Sequence, residues 1–144
     1  MFKKILIPLD IDYPKTAAAV YRNTIESAQR SGAEIKLLGV MPGFSMPIVA
    51  SYISDELKKE TIKHYRTSFE EFIQANCDKE TPYSIRIGKP WEEIIKAADK
   101  WGADLIVVYH NHRREFNEVF SGSCSARVME HANCSVLRLR NILS

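Results

Sequence analysis

Asp104–Arg140 reads DLIVVYHNHRREFNEVFSGSCSARVMEHANCSVLRLR, and its layout decides the fold. Leu105-Ile106-Val107-Val108 is an apolar run with the length and β-branched richness of a strand buried on both faces. A polar, basic loop follows. Ser121-Gly122-Ser123-Cys124-Ser125 is then a small-residue turn opening a helix, and Ser135–Leu139 reads as a further apolar strand. Strand, loop, helix N-terminus and strand is a layout in which α/β proteins hold anions. Free backbone N–H groups and the positive end of the helix dipole face the space beyond the strand.

Upstream, the same alternation repeats. Ile5-Leu6-Ile7-Pro8-Leu9 reads as a first, central strand, with Pro8 at its last pairing because proline cannot donate to a ladder. Asp12 and Pro14 signal the start of a helix reaching about Arg30, with Ala18, Tyr21, Ile25 and Ala28 on its apolar face and Gly32 as its cap. Ile35–Val40 is the second strand. A loop-like stretch from Pro42 to about Ser54 is long enough to be either a lid or a packed surface segment. Asp55–Asn76 is expected as a long helix facing inward through Leu57, Ile62, Tyr65, Phe69, Phe72 and Ile73. Tyr83–Ile87 reads as a strand. Pro90 and Gly102 bracket a helix with Ile94, Ile95, Ala98 and Trp101 turned inward. The order βαβαβαβαβ predicts an α/β fold: a doubly wound open sheet of five parallel strands with helices on both faces. Ligands of such sheets sit beyond the carboxyl ends of the strands, where the strand order reverses. That directs attention to Asp10, Val40, Gly88 and the loop after Val108.

The 144 residues fit one domain, 1–144, with an ordinary globular composition of 45% hydrophobic and 26% charged residues. Twenty basic against 18 acidic residues leave a net charge of +2, too little for a nucleic-acid footprint. No apolar run approaches the roughly 20 residues of a membrane span, and Pro8, Asp10 and Asp12 interrupt the N-terminus too early for a signal peptide. Cys77, Cys124 and Cys134 form no C-x-x-C pair and read as free thiols, so a cytoplasmic location is expected.

Several doubly wound classes fail on residues. A phosphoacceptor receiver domain has an acidic pair after the first strand, as Asp10 and Asp12 are, but it needs an aspartate ending the third, where Ile87-Gly88-Lys89 stands. A flavodoxin needs a Ser/Thr/Gly-rich loop where Asp10-Ile11-Asp12-Tyr13-Pro14 is acidic. Neither G-x-G-x-x-G nor G-K-[ST] is present, and there is no nucleophile elbow. Other pieces do match one pattern: Lys3–Asp10 as an opening strand ending Pro-x-Asp, Leu37-Leu38-Gly39-Val40 as the second strand, and Gly88-Lys89-Pro90 with Ile94-Ile95. Ala103–Val108, Gly122-Ser123-x-Ser125 and Cys134–Leu137 complete it. In this order and at these spacings, over nearly the whole chain, they resemble the universal stress protein family.

The resemblance implies a site for ATP or another adenine nucleotide, with or without Mg²⁺, made by Pro8, Asp10, Val40, Val108, Tyr109, His112, Gly122, Ser123, Cys124 and Ser125. Asp10 would accept from ribose or adenine donors, the Val40 backbone would meet adenine, and the backbone of Val108 and Tyr109 would lie near the ribose. The family's nucleotide pattern is G-x2-G-x9-G-[ST]. Gly122-Ser123 keeps its second half, whereas Tyr109 and His112 stand where the first two glycines belong. Gly122 would let a phosphate approach, with Ser123 and Cys124 amides and the Ser123 and Ser125 hydroxyls donating. Tyr109 and His112 bring bulk instead, Arg113 and Arg114 bring charge, and His110 could stack or donate.

Simpler readings stand beside these. Asp10 could be a turn former, Ser121–Ser125 an N-cap, Cys124 a packing residue rather than a thiol activated by the helix end, and His110-x-His112 a solvated loop rather than a metal site. Trp91 and Trp101 read as core or interface aromatics. The apolar edge strand Ser135–Leu139 implies, with the resemblance, an antiparallel homodimer; Arg138 and Arg140 could equally protect a monomer's edge. No placed general base or carboxylate cluster for Mg²⁺ is legible, so fast hydrolysis is not expected. Three classes remain: a nucleotide-binding stress-response or regulatory dimer, a dimeric interaction module with a degenerate site, and an enzyme using Asp10 and the His110-His112 loop on another phosphorylated ligand.

Overall fold

Strand β1 covers Lys4–Pro8 and sends alternate side chains to opposite faces: Ile5 and Ile7 into one core, Leu6 into the other. The computed structural model describes residues 1–43, 51–110, 120, 122–140 and 142. Following β1 come α1 (Pro14–Ser31), β2 (Glu34–Met41), α2 (Asp55–Asn76), β3 (Tyr83–Ile87), α3 (Pro90–Trp101), β4 (Leu105–His110), α4 (Gly122–His131) and β5 (Ser135–Arg140). The strands form one five-stranded sheet in the order β3-β2-β1-β4-β5, every pairing parallel. β1 is central, as its apolar run predicts.

The period-2 split holds in β2 and β4 too. Ile35, Leu37, Leu105 and Val107 join residues of α1 and α2 in one core, whereas Leu38, Val40, Ile106 and Val108 join α3 and α4 in the other. A strand covered by helices on both faces has to be apolar at consecutive positions, which is why β1 and β4 read as unbroken runs. α2 lies very close over β2. A methyl group on Gly39 would stand 2.7 Å from the Tyr65 hydroxyl and 2.8 Å from Phe69 Cε2, so only glycine admits the helix at this distance.

Helix ends follow local chemistry with some corrections. Gly32 and Gly102 close α1 and α3 in the left-handed conformation, φ 71° and 79°. Asp12 does not cap α1; the cap position is Tyr13, whose side chain makes no capping hydrogen bond, and Pro14 opens the helix. The Asp12 N–H instead donates to Asp10 Oδ1 at 3.1 Å. Ser54 caps α2, its Oγ accepting the Leu57 N–H, and Leu57 is exposed and not part of an inward stripe. Burial in α2 is confined to its second half, at Phe69, Phe72 and Ile73.

In α3 the buried face is Glu93, Ile94, Ala97 and Ala98, with Ile95 only half-buried. The Glu93 carboxylate is held by Arg86 Nε at 3.3 Å and Lys96 Nζ at 3.4 Å, which lets an acidic residue occupy that face. β4 runs two residues beyond its apolar core, because β5 continues alongside and pairs Tyr109 with Leu139 and His110 with Arg140. Residues 44–50 of the long loop lie outside the described residues. No described helix is long and apolar enough to cross a membrane.

Candidate functional site at the strand-order reversal

β1 has β2 on one side and β4 on the other, so the order reverses between β1 and β4. Pairing of β1 with β4 stops at Leu6 and Ile106. Toward β2 it continues to Pro8 and Leu38, and the Leu9 N–H then donates to the Leu38 carbonyl at 2.9 Å. Pro8 has no N–H with which to carry a ladder further, and beyond it β1 and β4 part.

Two adjoining cavities open there. A small one of about 40 Å³ lies between the ends of β1 and β4 and the start of α1, bordered by Pro8, Asp10, Tyr13, Val108, Tyr109 and Phe120 among others. A larger one of about 300 Å³ extends toward β2 and α2, bordered by Asp10, Asp12, Val40, Met41, Pro42, Gly43, Ile53, Thr61, Tyr65 and Phe120. Leu9, Asp10 and Phe120 belong to both. The walls are mainly apolar, with the carboxylates of Asp10 and Asp12 among them.

Asp10 takes the turn-forming role that the sequence offered for it, and it does so at the edge of both cavities. Its Oδ1 shapes the turn after β1 through the Asp12 amide, and the residue also borders both cavities. Tyr65 faces the same carboxylates. Burial, then the negative charges of Asp10 and Asp12, push its phenol above the ordinary tyrosine range, while a backbone hydrogen bond from Val40 works the other way. The phenol is therefore a neutral hydroxyl over the whole physiological range.

Of the residues singled out from the sequence, Pro8, Asp10, Val40, Val108 and Tyr109 come together around these cavities. Val40 and Val108 keep their side chains in the core between the sheet and α3/α4, so it is the strand ends that border the space. Gly122, Ser123, Cys124 and Ser125 form the first turn of α4 and do not border the two cavities. Ser125 is buried and donates its hydroxyl to the Gly122 carbonyl at 3.1 Å, turning it back on its own helix instead of outward. Cys124 is buried, and loss of solvation pushes its thiol up to about 12; the packing reading prevails over activation by the helix end. His112, Arg113, Arg114 and Ser121 lie outside the described residues.

The histidine that meets the helix start is His110. A methyl group on Gly122 would lie 2.5 Å from His110 Cε1 and 2.8 Å from Nδ1, so the imidazole rests on the glycine where a phosphate was expected to approach. Sequence reasoning gave His110 only a general role, since its place at the end of β4 depends on the extra pairing with Arg140. Phe120 was not singled out at all. The available signal was an aromatic placed just before a small-residue helix start, where it has to pack against something. Tyr65 was read only as part of a helix stripe; Gly39 beneath it is what lets its hydroxyl reach the cavity. Among the described residues no group of three or more His, Cys, Asp or Glu is arranged to hold a metal ion.

Comparisons with known proteins agree with this architecture. The model of the Universal stress protein family matches residues 1–140. The universal stress protein MJ0531 of Methanocaldococcus jannaschii is 30% identical over 146 residues, covering 95% of this chain and 81% of the relative. Among solved structures, universal stress protein UspA from Lactobacillus plantarum superposes with a TM-score of 0.67 at 25% identity, over 96% of this chain and 97% of that one. Two more distant structures share the fold and hold nucleotides. A universal stress protein in complex with cAMP has a TM-score of 0.56 at 16% identity, over 96% and 97% of the two chains. The protein from Archaeoglobus fulgidus in complex with dAMP has a TM-score of 0.55 at 20% identity, over 94% and 96%. The family model spans nearly the entire sequence, and the solved structures share the fold over nearly the whole chain. The chain belongs to the universal stress protein family.

Proposed function

We propose that the chain binds an adenine nucleotide at the β1/β4 reversal and serves as a regulatory, stress-response protein of the cytoplasm, with residues 1–144 acting as one unit. The observation that carries this reading is the meeting of three strand ends, through Pro8 and Asp10, Val40, and Val108 and Tyr109, around two cavities that share Asp10. A flat base fits an apolar slot beside Val40 and Met41, and a carboxylate at its end suits the donors of a ribose or an exocyclic amine. Relatives holding cAMP and dAMP lend support. In this reading the nucleotide acts as a signal and not as a substrate for fast turnover. β5 is an edge strand with Leu137 47% exposed, which favours a homodimer formed by antiparallel pairing of Ser135–Leu139.

A second reading, an interaction module with a degenerate site, is favoured by the His110 ring resting on Gly122. Titration calorimetry with ATP, ADP and AMP, with and without Mg²⁺, separates the two. Binding of any of them supports the nucleotide reading. Absence of heat at millimolar nucleotide sinks it in favour of the interaction module.

A further inference from the structure

The geometry points to His110 as a specificity-determining residue that restricts this site to a nucleoside or nucleoside monophosphate and disfavours the triphosphate. This rests on the nucleotide reading above and narrows it. A triphosphate is held in an α/β protein chiefly by the N-terminus of the helix beyond the reversal point, where amides and the helix dipole meet the anion. Here that helix is α4, and the His110 ring occupies the space against its first residue. The His110 ring lies so close to Gly122 that even a methyl group there would sit 2.5 Å from Cε1. Ser125, which would add a hydroxyl donor, is buried and bonded to the Gly122 carbonyl.

The cavities agree in size and charge. The larger measures about 300 Å³, at the lower end of the roughly 300–1,000 Å³ of small-molecule sites, which suits a base and sugar better than a full triphosphate. Among the described residues bordering the two cavities there is no lysine or arginine, while Asp10 and Asp12 contribute two carboxylates to the lining. Negative charge added to the ligand beside those carboxylates weakens binding unless cations or a helix N-terminus answer it. Hydroxyl and amine donors, which a nucleoside has, are what these carboxylates accept.

The test is calorimetry at constant ionic strength with adenosine, AMP, ADP and ATP, on the wild-type chain and on His110→Ala. The wild type is expected to bind adenosine or AMP more tightly than ATP by roughly ten- to a hundredfold, the span one or two charge-assisted hydrogen bonds represent. His110→Ala is expected to recover ATP affinity by about the same factor with adenosine affinity unchanged, which also shows that the variant is folded. ATP binding to the wild type as tightly as AMP overturns the inference while leaving the nucleotide reading intact. A His110→Ala variant that shifts all four ligands equally, or none, also overturns it. If none of the four binds either protein, the nucleotide reading falls and takes this inference with it. His110→Gln, which keeps a polar side chain of similar reach, is expected to stay closer to the wild type than His110→Ala.

Discussion

The imidazole of His110, at the end of β4, rests on the α-carbon of Gly122, the first residue of α4. The contact fuses a strand end to a helix start and changes what substitutions at the glycine report. An aspartate at 122, the obvious probe of phosphate binding, would collide with His110 whether or not a phosphate ever reaches the site. Gly122→Ala is the cleaner probe of the contact. It is expected to lower stability by about 1–3 kcal/mol through overpacking. His110→Ala in the same chain should recover most of that loss, giving a coupling of about 1 kcal/mol or more in a double-mutant cycle followed by urea unfolding. Additive effects would show that the two residues do not touch.

Leu137 lies on the exposed edge strand and contributes little to the interior, so a charge there leaves the fold alone. In an antiparallel pair of β5 strands related by a two-fold axis, the same charge would appear on both copies within a short distance. The wild type is expected to sediment as a dimer and Leu137→Asp as a monomer with an unchanged far-ultraviolet spectrum. A wild type that remains monomeric at high micromolar concentration, or a variant that remains dimeric, contradicts pairing through β5.

At the opposite end of the sheet, Asp104 ties the start of β4 to the start of β1. Its Oδ2 accepts the Lys3 N–H at 2.8 Å and its Oδ1 the Lys4 N–H at 2.9 Å. These amides, Lys3 first and then Lys4, hold the carboxyl below its ordinary value of 3.8. A depressed value in the folded state means that stability from this carboxylate is complete above the unfolded value and is lost as pH falls through the folded one. The gap in melting temperature between wild type and Asp104→Ala should thus be constant from neutral pH to about pH 5 and close below about pH 4. A gap that persists unchanged into strong acid would remove the carboxylate's charge from the explanation.

Cys124 and Cys77 are both held mainly as thiols, pushed up to about 12 and about 11 by burial. The nucleophile in alkylation is the thiolate, so both should react slowly with iodoacetamide at pH 7 in the folded protein. Labelling of Cys124 should accelerate sharply only in unfolding concentrations of urea, as read by mass spectrometry. Rapid labelling of Cys124 in the native state would instead show activation by the amino end of α4.

The cavity-bordering residues that the sequence singled out lie at element ends with local signatures. Pro8 and Asp10 follow an apolar run, Val40 precedes Pro42-Gly43, and Val108 closes a β-branched segment. Asp12 does not cap α1 because the helix starts one residue later than a cap at Asp12 requires, at Pro14 with Tyr13 as the cap position. Leu57 is exposed because the first half of α2 buries none of its residues, and helical period alone cannot tell which half of a helix is covered.

The residue string by itself determined the parallel five-stranded layout, the central place of β1, and the glycine-ended helices. These depend on hydrophobic period and turn chemistry, which act between near neighbours. Only the tertiary structure decided that His110 and Gly122 meet, that Tyr65 reaches over Gly39 toward Asp10, and that Phe120 borders both cavities. These contacts join residues from different elements, and their distances follow from how far β4 extends beside β5 and how closely α2 lies on β2. No local pattern encodes either.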